Sequence, residues 1–432
     1  MLYSIRKHSN YILILALWSI VGMLSVNLAI VVVLGTLVLF FQKERYFEAL
    51  FGFFFLLVLS DNLETLFQFA KVIKPLYLVT MGLLTVVKRD QLLSNYNFLY
   101  RFGPFFIVAL ICIYFSVTKD VSFQKALSYA LILLVVPNLI IHEYRKLGPQ
   151  LFVNLVAFSF IIHLISISIL IFFPEVGISH GGRWRGVFGN PNGLGLFLIL
   201  YHILFRVVSF KFPSYFTKAD TIIYLGVSFL FVWMSGSRNA LLSILLFELI
   251  NFGFNYSKPF TILIMVTLVF YFDYMVDFVI DYLSSIGLSS TLRLESIEEG
   301  SGRIIAWKFA WDEIQKGSLL LGKGLGYDEY FMRNNFSFLS RQGHEGGVHN
   351  SYLILWLNTG LIGLILFFSA FFSFFIQAFK MNKFAFPTMV AVLSSISYEP
   401  WLSGSLNPYT VVYIVLMTFF LYIDFDKNEE KI

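Results

Sequence analysis

Hydrophobic residues run through the chain in long, continuous stretches. Apolar spans lie near 11–25, 28–41, 47–60, 75–87, 102–118, 123–141, 150–173, 191–209, 220–235, 239–254, 259–280, 351–376, 385–400 and 407–424. None shows the alternating ten-residue pattern of a membrane β-barrel strand. Runs of this length predict transmembrane helices, because backbone groups in lipid must find their partners within the segment. The expectation is an all-α integral membrane protein with about 14 spans, or 12 if two pairs of short early spans are half-helices. No internal repeat or low-complexity linker divides it, so residues 1–432 read as a single polytopic membrane domain.

Composition agrees: 58% of residues are hydrophobic and only 13% charged, against about 25% charged in soluble domains. Arg6, Lys7 and His8 precede the first span without a small-residue cleavage site, so this span reads as a retained helix rather than a signal peptide. The lone Cys112 sits in an apolar run and reads as a small buried hydrophobe.

The distribution of charge sets the orientation. With the N-terminus in the cytoplasm, 17 of the 31 Lys and Arg residues fall in cytoplasmic segments and seven in short outer ones. The remaining seven lie in the long segment 281–350, which the positive-inside rule does not count. Both termini are therefore expected inside. Residues 174–190, 236–238 and the large loop 281–350 are expected on the outer face. Within that loop, Ile304, Trp307, Trp311 and Ile314 form one helical stripe. Such a helix either lies on the membrane surface or packs on the loop itself.

The outer segments hold the candidate chemistry. "GGRWRGVFGNPNGLG", residues 181–195, carries Arg183, Arg185, Asn190 and Asn192 between two hydrophobic runs. Arg238 begins another span after Ser235-Gly236-Ser237, Arg303 opens the amphipathic stripe, and His349 and Asn350 precede the span at 351–376. An arginine at a span end can simply snorkel to the headgroups. Four converging arginines would make a diphosphate site, since the planar guanidinium matches phosphate oxygens in a bidentate fork. A histidine beside it has the chemistry of a general base, although a lone histidine is also a common structural residue. His344 and Glu345 read either as groups supporting the histidine site or, more simply, as solvated loop. No metal-ligand set stands out, and no P-loop, GxSxG or dinucleotide motif appears in context. No cofactor, metal or nucleic-acid partner is expected.

Four stretches in order, "RWRGVFGNPNGLG", "SGSRNALL", "SGRIIAWKFAWDEIQKGSLLLGKGLG" and "HNSYLILWLNTGLIGL", resemble the O-antigen ligase and polymerase superfamily. The resemblance covers about residues 180–370, within a catalytic core of 150–376. It implies a GT-C-like glycosyltransferase of the bacterial inner membrane, metal-independent and inverting, with its active site on the outer face. The implied donor is an oligosaccharide on undecaprenyl diphosphate and the acceptor another glycan, with a chain-length regulator as a candidate partner protein. Carried onto matching positions, His349 is the base and Arg238 and Arg303 hold the diphosphate. Arg183 and Arg185 line the same cavity, with Arg185 fitting the family block better. Polymerase is favoured over ligase. A lipid-linked oligosaccharide flippase is the alternative class, although such carriers tend to show repeated halves.

Overall fold

The computed structural model describes residues 8–62, 64–270, 285, 303–317, 319–344 and 346–423. The described residues are helical in their regular structure, apart from one isolated antiparallel bridge between Ile178 and Trp184. The main helices are α1 (Ser9–Leu24), α2 (Val26–Gln42), α3 (Tyr46–Asp61), α4 (Gln68–Val87), α5 (Asn97–Phe115), α6 (Lys119–Leu147) and α7 (Gln150–Phe172). They continue with α8 (Pro191–Lys211), α9 (Lys218–Ser235), α10 (Arg238–Tyr256), α11 (Lys258–Phe270), α12 (Arg303–Gly317), α13 (Ser351–Met381), α14 (Ala385–Tyr398) and α15 (Pro408–Tyr422). Two short helices, Tyr327–Asn334 and Phe336–Arg341, join α12 to α13. The span expected at 259–280 is described only as far as Phe270, and much of the 281–350 loop lies outside the described residues.

Among the described residues, eight helices are long and apolar enough to cross a membrane. This fits a membrane protein. The helices α1, α2, α14 and α15 are apolar but shorter. Three helices form the centre. The helix α3 is buried from Tyr46 to Ser60, α8 at nearly every position to Val208, and α15 from Pro408 to Leu421. A helix apolar on all sides has no preferred outer face and settles inside the bundle. The surrounding helices expose large apolar side chains instead, such as Leu13 and Leu24 on α1, Leu83 and Val87 on α4, and Ile222 and Phe229 on α9. Apolar side chains on the rim of a bundle are what a hydrocarbon environment requires.

One helix is broken, and the break ties the loop to the bundle. Within α13, Gly360 adopts φ 72° and ψ 178°. The segment 319–324 docks into the gap and exchanges backbone hydrogen bonds with it. Leu361 N–H donates to Leu319 O (2.9 Å) and Gly324 N–H to Asn358 O (2.8 Å). The freed polar groups thus find protein partners, as helix breaks in apolar surroundings must. A β-carbon at Gly360 would lie 2.2 Å from Leu320 O. The Asn358 side chain adds a second tie, donating to Asp328 Oδ1 (2.8 Å) and accepting from Asp328 N–H (3.1 Å). Burial raises the Asp328 carboxyl above the ordinary aspartate range, and the nearby Lys125 opposes the rise.

The helix α12 keeps part of the expected stripe and corrects the rest: Ile314 is buried and Trp307 packs against the same cluster. Its buried face is Ala306, Ala310 and Ile314, packed with Phe331, Leu339, Ile354 and Leu357. Ile304 and Trp311 are exposed. Two alanines let the helix approach α13 more closely than bulky side chains would, so it packs on the loop and on α13.

The break at Gly360 makes a direct prediction. Gly360→Ala combines a disfavoured backbone with a backbone clash and should cost about 2 kcal/mol or more. Gly226→Ala, in α9 with nothing within 4 Å of the added carbon, should be neutral or slightly stabilising. Thermal melts of the two detergent-solubilised variants check this. Equal melting temperatures would sink the account of the break.

Candidate functional site

The loop between α7 and α8 folds tightly against the ends of α3 and α9. Trp184 N–H donates to Met234 O (3.0 Å), and Arg185 N–H to Gly177 O (2.8 Å). Gly189 N–H donates to Asp61 Oδ2 (3.1 Å), and Asn62 Nδ2 to Val187 O (3.0 Å). A β-carbon at Gly189 would meet Asp61 O at 2.2 Å, so this close approach requires glycine. Asn190 then caps α8, accepting from Gly193 N–H (2.8 Å), with Pro191 in the first turn. Asn followed by Pro is a favoured sequence signature for a helix start.

Several helix starts converge at this end of the bundle. Ser237 caps α10, and Arg238 is its first residue. Asn350 caps α13, accepting from Leu353 N–H (3.0 Å), and its Nδ2 donates to Ser397 O (3.1 Å). Arg303 is the first residue of α12. Helix N-termini carry partial positive charge and unsatisfied N–H groups, which favour anions. The cavity between them, of about 390 Å³, is lined by Arg183, Asn192, Arg238, Arg303, His344 and His349, among others. Its side chains are strongly cationic.

The two arginines of the opening motif part company. The guanidinium of Arg183 reaches this cavity, donating from Nε to Ser235 O (2.6 Å) and from Nη2 to Asn192 Oδ1 (3.0 Å). Arg185 is corrected. It is turned away from the cavity and occupied by Glu64 Oε1 (3.0 Å), Val176 O (2.7 Å) and Gly189 O (3.3 Å). Its carboxylate partner, 121 residues away in sequence, makes it the strut of the loop. Of its two readings, His344 departs from the solvated loop: it is buried, lines the cavity and has its Nε2 3.1 Å from Gly347 O. Glu345 lies outside the described residues.

The residue that sequence reasoning missed is Glu399. It ends α14 just before Pro400, and its side chain is 8% exposed. Oε1 accepts from Arg303 Nη2 (2.7 Å) and from Asn192 Nδ2 (2.8 Å), and Oε2 lies 3.5 Å from His349 Nδ1. The guanidinium of Arg303 also stands over the Tyr398 ring, 5.9 Å from its centre. A buried carboxylate needs such partners, since an uncompensated charge there is costly. The signal available in the sequence was a single acid at the end of an apolar run, on the side that the charge alternation assigns to the arginines.

His349 has φ 51°, a left-handed conformation seen at only one other non-glycine residue described, Glu44. Strained backbone of this kind persists where its surroundings dictate it, often at functional sites. Here the cap at Asn350 and the bond from Ser351 Oγ to the Glu399 carbonyl (3.1 Å) fix the chain that follows, and the buried Val348 holds the residue before it. His349 also lines a second cavity, of about 530 Å³, with Asp61, Lys74, Lys125, Glu329, Trp401 and Tyr409. Among the described residues, His349 alone belongs to both linings.

Residues 223–368 match the family model described as O-antigen ligase. The match supports the O-antigen ligase and polymerase superfamily, and with it a glycosyltransferase-like role in O-antigen biosynthesis. Arg238, Arg303 and His349 lie inside the matched region, whereas Arg183, Asn192 and Glu399 lie outside it. No curated protein matches the chain.

The parting of the two arginines can be measured. Arg185→Ala should lower stability by about 1.5–3 kcal/mol, the scale of hydrogen bonds to a charged group, and leave the affinity for inorganic pyrophosphate unchanged. Arg183→Ala should weaken pyrophosphate binding about tenfold. Melting curves and calorimetric titrations of both variants decide. Lost pyrophosphate binding in a well-folded Arg185→Ala would restore it to the site.

Proposed function

We propose that this protein is a surface-polysaccharide polymerase of the bacterial inner membrane. It joins undecaprenyl-diphosphate-linked repeat units at the outer face, by inverting, metal-independent glycosyl transfer. The observation that carries the reading is the place of His349, the residue common to an arginine-rich cavity and to a second cavity of mixed charge.

The chemistry follows from that arrangement. The donor diphosphate lies among Arg183, Arg238 and Arg303 and the positive helix ends, and the acceptor sugar enters the second cavity. With its Nδ1 hydrogen facing Glu399, the imidazole presents the Nε2 lone pair as base. The acceptor hydroxyl gives its proton to Nε2 as its oxygen bonds to the anomeric carbon. The bond from that carbon to the diphosphate oxygen breaks on the opposite side, inverting the centre. The departing diphosphate carries the electron pair, and the guanidinium groups stabilise the charge as it grows.

The second cavity bears on polymerase against ligase. It sets Asp61, Glu329 and Glu399 against Lys74 and Lys125, and adds Trp401 and Tyr409. Mixed charge with aromatic walls suits the sugar end of another repeat unit better than a strongly anionic core glycan. The ligase reading, with lipid A-core as acceptor, is favoured by the description of the matched family.

The test is a gel of surface polysaccharide from cells carrying His349→Asn. Asparagine tolerates the left-handed backbone at this position better than alanine does. Loss of the base should lower the rate by ~10²–10⁴-fold, and Arg238→Ala by ~10²–10³-fold. Both variants should then resemble a deletion. A single repeat unit on the lipid core identifies a lost polymerase, and long chains stranded on undecaprenyl diphosphate a lost ligase. Long chains at the normal level in His349→Asn cells would remove His349 as the base.

A further inference from the structure

We propose that Glu399 is a positioning residue that exchanges partners during the reaction, so that donor binding arms the base. This rests on the assignment of His349 and the arginine cavity above. In the donor-free protein Glu399 acts as an internal stand-in for the donor, occupying Arg303 with the same oxygen that Asn192 holds. Asn192 in turn holds Arg183. One carboxylate thus sits at the junction of two of the three cavity arginines.

A diphosphate offers Arg303 more charge and a bidentate set of oxygens, and should displace a single carboxylate. The displaced group has little room to travel. Its backbone is pinned by the following proline and by the bond from Ser351 Oγ to its carbonyl (3.1 Å). The charge is buried, so it needs a new partner, and His349 Nδ1 is already 3.5 Å from Oε2. That separation is long for a hydrogen bond. Catalytic bonds are often long before substrate arrives and close in the loaded complex. Once Arg303 is taken, Glu399 turns fully to Nδ1. It fixes the tautomer that leaves Nε2 as acceptor and stabilises the imidazolium formed when the acceptor proton is taken. The base is therefore strongest only when a donor is present. When the carrier diphosphate has left, Glu399 returns to Arg303 and opposes its rebinding.

The geometry makes opposite predictions for binding and turnover. Full-length Glu399→Gln in lipid nanodiscs removes the competing charge, so it should bind inorganic pyrophosphate about three- to tenfold more tightly. A tenfold change corresponds to about 1.4 kcal/mol. It should also lose the orienting carboxylate, so kcat for glycan transfer should fall ~10²-fold while KM for the donor does not rise. A residue needed only for folding would not tighten one ligand while slowing turnover. Glu399→Asp keeps the charge on a shorter arm. It should bind pyrophosphate like wild type and recover part of kcat, and it keeps the test open if the Gln variant folds poorly. Unchanged or weaker pyrophosphate binding in Glu399→Gln overturns the exchange, as does wild-type kcat or equal losses in Gln and Asp. Each of these leaves the assigned reaction standing. A fully active His349→Asn protein, measured alongside, would instead overturn the reaction itself.

Discussion

A buried carboxylate governs this end of the molecule. Glu399 cannot remain charged and enclosed without donors around it, and those donors come from distant parts of the chain. Arg303 brings the start of α12, Asn192 the start of α8, and His349 the turn before α13. Around them, Asn239 Nδ2 and Asn350 Nδ2 bond to the carbonyls of Ser395 and Ser397 in the last turn of α14. The result is a ring of helix N-termini around one negative charge. Taking that charge away leaves a cluster of cations and helix ends that calls for another anion. The same constraint that closes the donor-free protein therefore defines what the cavity accepts.

A second constraint acts from the other side. A long loop that shapes a site must be held against a bundle whose peripheral helices present apolar side chains. Here it is held by backbone rather than by side chains alone. The segment 319–324 enters the break at Gly360 and takes over hydrogen bonds that α13 gives up. The helix α12 then lies across α13 through Ala306 and Ala310. Since α13 begins next to His349, the fixing of the loop and the placing of His349 depend on one helix. Strain at His349 is tolerable because the chain after it is anchored by hydrogen bonds and Val348 before it is buried.

Much of this was legible in the sequence because it rests on local rules. Continuous apolar runs marked the helices, although the short α1, α2, α14 and α15 fall below an ordinary spanning length. Asn190-Pro191 carries a helix-start signature in its capping chemistry, and Asn350 stands at the head of the next long apolar run. Arg183, Arg238, Arg303 and His349 were singled out by being polar at apolar boundaries, and the fold brings them together. What failed were choices decided by distant partners. The family resemblance favoured Arg185 over Arg183, but Glu64 captures Arg185 from another loop. The α12 stripe held at Ile314 and Trp307 but not at Ile304 and Trp311, because close packing on α13 selected Ala306 and Ala310. Glu399 escaped because a search for an anion site looks for cations, and a carboxylate within such a site reads as a contradiction.

That contradiction is informative. Three arginines around an open cavity would repel one another and hold any passing anion. An internal carboxylate lowers the standing charge and makes an incoming ligand compete for Arg303. Weak anions lose that competition, and a diphosphate wins it through its higher charge and paired oxygens. Binding and selectivity then come from the same exchange: the site discriminates by what can displace Glu399, not only by what can touch arginine. Because the displaced carboxylate faces the imidazole between the two cavities, recognition of the leaving group is relayed to the base within a single side-chain movement. No larger conformational change is needed to couple the two.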